Sequence, residues 1–150
     1  MTYTEIKKEL VNVYIKTIIP AVVLILLVYL FKYLNLLGDS LLSPKWYSVV
    51  LFVLGAAFSL AFPIFYRTVF VNKNQKNKTI NVDEFVVFEK KFIILALVVP
   101  YLLVLAVPFQ MPGFYLGGLM LFSLYSVYYY YPSEKRIVFE MKLFRIKEPN

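Results

Sequence analysis

Four apolar runs, each close to the length needed to cross a bilayer, dictate what this chain can fold into. They are Thr17–Leu37 (TIIPAVVLILLVYLFKYLNLL), Trp46–Tyr66 (WYSVVLFVLGAAFSLAFPIFY), Phe92–Phe109 (FIILALVVPYLLVLAVPF) and Gly113–Tyr131 (GFYLGGLMLFSLYSVYYYY). A helix of ~20 residues rising 1.5 Å per residue covers the ~30 Å hydrocarbon core of a membrane. None of the four alternates with the period of two that a strand of a closed barrel requires. The expected fold class is an all-α integral membrane protein with four transmembrane helices, forming a single domain over residues 1–150. Composition agrees, since 61 % of residues are hydrophobic and 17 % charged, against roughly 45–50 % and about 25 % in a soluble domain.

The basic residues set the expected orientation. All 16 Lys and Arg except Lys32 and Lys45 fall before the first run, between the second and third, or after the fourth. The positive-inside rule then places both termini and the middle connection on the cytoplasmic side of a cell inner membrane. The first run is too long for a cleavable signal and its basic flank carries Glu5 and Glu9, so it is expected to be retained as a span.

Absent residue types narrow the chemistry. The chain has neither Cys nor His, which removes disulfides, thiol nucleophiles, the usual zinc sites, and Ser-His-Asp catalysis. No Asp, Glu, Arg or Lys falls near the middle of a run; Lys32, Asn35 and Gln110 come closest, near the outer surface. A proton- or sodium-coupled pump needs an intramembrane carboxylate. The first run has no Glu of the kind that four-span small multidrug transporters use, and the chain has no Asp pair for aspartic proteolysis. We therefore expect a non-enzyme without cofactor or metal.

The stretch SVYYYYPSEKRIVF (Ser126–Phe139) closes the fourth run. Tyr128, Tyr129, Tyr130 and Tyr131 are expected at the headgroup level, where a ring stays apolar while its hydroxyl reaches water or phosphate. Pro132 discourages continuation of the helix. Lys135 and Arg136, together with Arg67, Lys90 and Lys91, are expected beside anionic lipid headgroups. The alternative is a docking surface for another subunit. FSLAFPIFYRTVF (Phe58–Phe70) shares with FSLYSVYYYYPSEKRIVF (Phe122–Phe139) the Phe-Ser-Leu start, the aromatics, the Arg and the Val-Phe. A repeated two-span unit would give this, as would the abundance of Phe and Tyr.

Small residues mark packing faces. Gly55 and Ser59, and Ala57 and Ala61, are spaced by four in the second run; Gly113, Gly117 and Gly118 lie in the fourth. Such spacing lets helix backbones approach closely, so spans two and four are the expected contact pair. Spans one and three, mostly Leu, Val, Ile and Ala, are expected to face lipid or bulky partner helices. Pro100, near the middle of span three, predicts a kink.

The flanks carry local signatures. Thr2 to Glu5 fits a capping box, and the tail behind it is expected to lie along the membrane and feed span one. Asn81 to Glu84 fits another, with Ile80 and Phe85 placed for a hydrophobic staple, so the helix of span three is expected to begin near Val82. Asn72 to Lys78 is polar and turn-like. Beyond Pro132, Ile137, Phe139, Met141 and Leu143 alternate with Val138, Glu140, Lys142 and Phe144. That pattern predicts a short cytoplasmic β-strand, pairing with Thr68–Val71 and offering a partner-facing edge, with an amphipathic helix as the alternative.

Two functions fit. One is an accessory or assembly subunit of a larger bacterial cytoplasmic-membrane complex in transport, secretion or envelope biogenesis. The other is a small homo-oligomeric channel, flippase or lipid-handling protein. Expected partners are anionic lipids and other membrane subunits. Nucleic acid is not expected, because the basic residues are shared among three membrane-flanking segments and mixed with nine acids.

Overall fold

The computed structural model describes residues 2–36, 41–42, 45–74 and 80–146. The chain is helical, with strand pairing confined to two dipeptides and one isolated bridge among the described residues. Helix α1 spans Tyr3–Tyr33 and α2 spans Lys45–Ala56; a π-helical turn, Ala57–Ala61, joins α2 to α3 (Phe62–Asn74). Then follow α4 (Val82–Ala96), α5 (Val98–Ala106), α6 (Gly113–Tyr129) and α7 (Glu134–Leu143). Two helices are long and apolar enough to cross a membrane: α1 and the continuous rod from Lys45 to Asn74.

Four rods run up, down, up and down. Side-chain contacts fix the directions: Lys90 pairs with Glu9, the Tyr101 hydroxyl donates to the Thr17 carbonyl, and Lys32 Nζ donates to the Val107 carbonyl, so α1 and α4–α5 are parallel. Tyr47 donates to the Leu105 carbonyl and Tyr14 to that of Val127, so α2–α3 and α6 return. Because α1 and α5 point the same way, the segments after them, β1 (Leu41–Leu42) and β2 (Phe109–Gln110), pair in parallel, Leu41 opposite Phe109. At the other end Ile80 bridges Ile146. We call the end holding α7 the charged end and the opposite one the far end.

Helix boundaries follow local chemistry. Glu5 Oε2 accepts from the Thr2 backbone N–H at 2.7 Å, and α4 begins at Val82 with Ile80 and Phe85 buried in one cluster, but the Asn81 side chain makes no capping hydrogen bond, so the box expected there is not formed. Asn35 and Arg145 end α1 and α7 in the left-handed region, with φ of 54° and 52°. At both ends the next residue's N–H reaches back five positions, Leu36 to Phe31 and Ile146 to Met141, which satisfies carbonyls the helix leaves open. Pro100 cannot donate to the Ala96 carbonyl, and the third rod breaks at Leu97 between α4 and α5.

The structure corrects three expectations. The C-terminal segment is the helix α7, not a strand. Its buried positions are Ile137, Glu140, Met141 and Phe144, spaced three, four and seven apart, while Phe139 and Leu143 face outward. A charged residue, Glu140, occupies the buried stripe and disguised the helical period. Thr68–Val71 is likewise helical, inside α3. The third rod is not a lipid-facing one: Phe85, Val86, Phe88, Phe92, Ile93, Val99, Leu102 and Leu103 are all buried, because this rod packs against the first, the second and the fourth. Finally, the N-terminal tail is part of α1 itself, its Ile6 and Leu10 fully buried at the charged end. The polar turn predicted over Asn72–Lys78 lies mostly outside the described residues, as do Lys76, Lys78 and Asp39.

Candidate functional site: a buried charge network beside a cleft

Four ionisable side chains from three helices meet at the charged end. Arg136 (α7) donates from Nη2 to Glu89 Oε2 (α4) at 2.8 Å, and Arg67 (α3) donates from Nη2 to Glu140 Oε2 (α7) at 2.9 Å. Arg136 also donates from Nη1 to the Tyr130 carbonyl at the C-cap of α6. Its guanidinium lies 5.5 Å from the Phe92 ring centre, and that of Arg67 lies 5.7 Å from the Phe144 ring centre. Aromatic rings wall the network, with Phe88 stacked on Tyr66 and Phe70, and Phe92 edge-on to Tyr130.

Glu89 is only 2 % exposed, and its Oε1 has no hydrogen-bond partner among the described residues. Burial pushes its carboxyl up to about 7; Arg136 pulls it down, Glu140 pushes it up, and Arg67 pulls it down, but desolvation prevails. Glu140 is raised for the same first reason, with Arg67 and Arg136 opposing. The site thus holds two carboxyls that bind protons more readily than exposed ones do.

Tyr130 connects this network to the middle of the bundle. It is 2 % exposed, and its hydroxyl donates to the Ser59 carbonyl at 2.8 Å. That carbonyl is available because Pro63, four residues on, brings no N–H to the helix ladder. The π-turn just before it, where the Phe62 N–H reaches the Ala57 carbonyl, belongs to the same irregularity. Tyr14 similarly fills the Val127 carbonyl in the last turn of α6, at 2.8 Å.

The other residues singled out from sequence are dispersed. Tyr128 is 87 % exposed, Tyr129 and Tyr131 are half exposed, and Tyr131 meets Tyr14 edge-on. Lys90 pairs with Glu9, while Lys91 and Lys135 are exposed. Gly55 lies against Leu119 and Gly118 against Phe52, so spans two and four touch at both; Gly113 and Gly117 meet nothing within 4 Å. Ser59 is buried, Ala57 half-buried and Ala61 exposed. Ile137 and Met141 are core residues; Phe139 and Leu143 are surface ones. Sequence reading missed Glu89 and Glu140. The available signal was the pair of arginines in like surroundings, Arg67 and Arg136, each needing a carboxylate if buried.

Beside the network a cleft of about 780 Å³ opens between α6 and α7, its lining including the polar Arg67, Lys135, Arg136 and Glu140 and the apolar or aromatic Leu124, Tyr128 and Phe139. Among the described residues no three His, Cys, Asp or Glu side chains are grouped to hold a metal ion. Comparison of the chain with family models, with curated proteins and with solved structures returns no match.

Proposed function

We propose that the chain is a four-span protein of the bacterial cytoplasmic membrane, charged end in the cytoplasm, serving as a non-enzymatic accessory or assembly subunit of a larger membrane complex in transport, secretion or envelope biogenesis. Of the four rods, α1 and Lys45–Asn74 meet the length requirement alone. The third is divided at Leu97, and α6 has 17 residues, about 26 Å at 1.5 Å each. The third and fourth rods pack against these two, so a bilayer that holds the first two would enclose the others.

The observation that carries the reading is where polarity is spent. Arg67, Arg136, Glu89 and Glu140 pair with one another inside the protein, while large apolar side chains stay outside: Val22, Leu26 and Leu30 of α1, and Val53, Ile64 and Phe65 of the second rod. A monomer in water does not keep so much contiguous apolar surface. Lipid and partner helices are its natural cover. The second reading, a small lipid-handling protein, draws its support from the cleft alone.

Tagged chain, cross-linked in native membranes and extracted in mild detergent, tests the proposal. A membrane partner recovered at constant stoichiometry is the expected result. Recovery of cross-linked copies of the chain alone would favour the homo-oligomeric reading and overturn the accessory one.

A further inference from the structure

The cleft between α6 and α7 has two kinds of wall. The polar lining has three basic side chains, Arg67, Lys135 and Arg136, against one acid, Glu140. Arg67 uses one of its five N–H donors, the one given to Glu140, and Lys135 makes no hydrogen bond or ion pair with the described residues. Its apolar lining is Leu124 and Tyr128 of α6 and Phe139 of α7, all strongly exposed, and the α6 part runs on into Leu121 of the same face. A soluble anion would satisfy the donors and leave the apolar wall bare. A purely apolar helix would cover that wall and strand the cations.

An amphiphile with an anionic head matches both. We propose that the cleft holds one anionic phospholipid of the cytoplasmic leaflet, its phosphate against Arg67 and Lys135 and an acyl chain along Leu124, Tyr128 and Phe139. The inference rests on the membrane placement proposed above and adds to it a single retained lipid, distinct from the fluid annulus that any span has. Arg136, held by Glu89 and the Tyr130 carbonyl, contributes charge more than donors.

The test uses the full chain in nanodiscs of equal parts phosphatidylglycerol and phosphatidylcholine, released into a mass spectrometer under native conditions. One phosphatidylglycerol per chain should survive, retained about fivefold over phosphatidylcholine, and Lys135→Ala should lower that preference about fivefold. Phe139→Ser should reduce retention of both lipids at this site. Lys135 is exposed and unpaired, so its variant keeps the fold, which thermal unfolding checks. Equal retention of the two lipids, an unchanged preference in Lys135→Ala, or displacement of the lipid by inorganic phosphate would overturn the proposal. Alkaline extraction of the same chain from membranes separates the two failures. Release would sink the membrane reading, whereas a chain that stays embedded without lipid preference would sink only the lipid site.

Discussion

The two ends of the bundle are held together by different physics. At the charged end Ile6, Leu10, Phe85, Phe88, Ile137, Met141 and Phe144 form a bulky aromatic core, stitched by ion pairs between α1, α3, α4 and α7. At the far end Leu51, Val99, Leu102, Leu103, Ala106 and Leu119 pack without an ion pair among the described residues, and helices α2 and α6 come close where Gly55 and Gly118 leave room. Inside a bilayer apolar surface gains nothing by leaving lipid for protein, so in the proposed membrane placement shape and dispersion would hold the far end. In the proposed placement the charged end would reach water and could use paired charges and aromatic burial. The comparison teaches that changes of charge should act at one end and changes of volume at the other.

The sharpest way to break the charged end is Arg136→Ala. It leaves Glu89 buried without a counter-charge and the Tyr130 carbonyl without its donor, and should cost about 3–5 kcal/mol in detergent-solubilised unfolding. Arg136→Lys should recover part of this, since a point charge cannot serve both acceptors.

Acidity should act next. The folded carboxyl of Glu89 titrates near 7, above its ordinary value of 4.5, with Arg136, Glu140 and Arg67 facing it. The folded state therefore holds a proton that the unfolded chain releases between those values. This stabilisation is complete below pH 4.5 and is lost as pH rises through about 7, a decline on the order of 3 kcal/mol. Melting measured from pH 4.5 to pH 8 should fall in the native chain and fall less in Glu89→Gln, where the raised carboxyl of Glu140 remains.

The far end can be probed within one helix. A Cβ at Gly118 would overlap the Phe52 ring, which is held by Phe114, Tyr115 and Phe122, so Gly118→Ala should cost about 1–3 kcal/mol. A Cβ at the adjacent Gly117 meets open space, and Gly117→Ala should stabilise by up to about 1 kcal/mol through helix propensity. Equal effects at the two positions would contradict the packing described for α2 and α6.

The smallest effect belongs where the two regimes meet. Tyr130→Phe leaves the Ser59 carbonyl without its donor and should cost about 1–2 kcal/mol. Tyr128→Phe, two residues away and exposed, should change unfolding by less than about 0.5 kcal/mol.

These contrasts also separate what the sequence disclosed from what it hid. Apolar runs, the Asn81 signature and the kink at Pro100 are local, and each could be read from a few neighbours. The contact of Gly55 and Gly118 with the opposite helix was legible because small residues in an apolar run have few other uses. Tyr130 was not distinguishable from its three tyrosine neighbours: its burial depends on Pro63 freeing a carbonyl on another helix, a relation across 71 positions. Helix α7 was misread as a strand because its inward stripe includes Glu140, whose partner Arg67 lies 73 positions away. Ser133, whose hydroxyl accepts from the Arg136 N–H, was the local cue to a helix start that the alternation outweighed. What remained hidden was long-range polar pairing, which leaves no periodicity.

Placement of the charged end inside the cell and the far end outside is the claim on which the rest depends. The chain has no cysteine, so single cysteines introduced at exposed Thr4, Trp46, Asn72 and Lys142 can be labelled one at a time in intact cells with a membrane-impermeant maleimide. Trp46→Cys should label in intact cells, and Thr4→Cys, Asn72→Cys and Lys142→Cys only after the cells are opened. Labelling of Asn72→Cys or Lys142→Cys in intact cells would contradict the account.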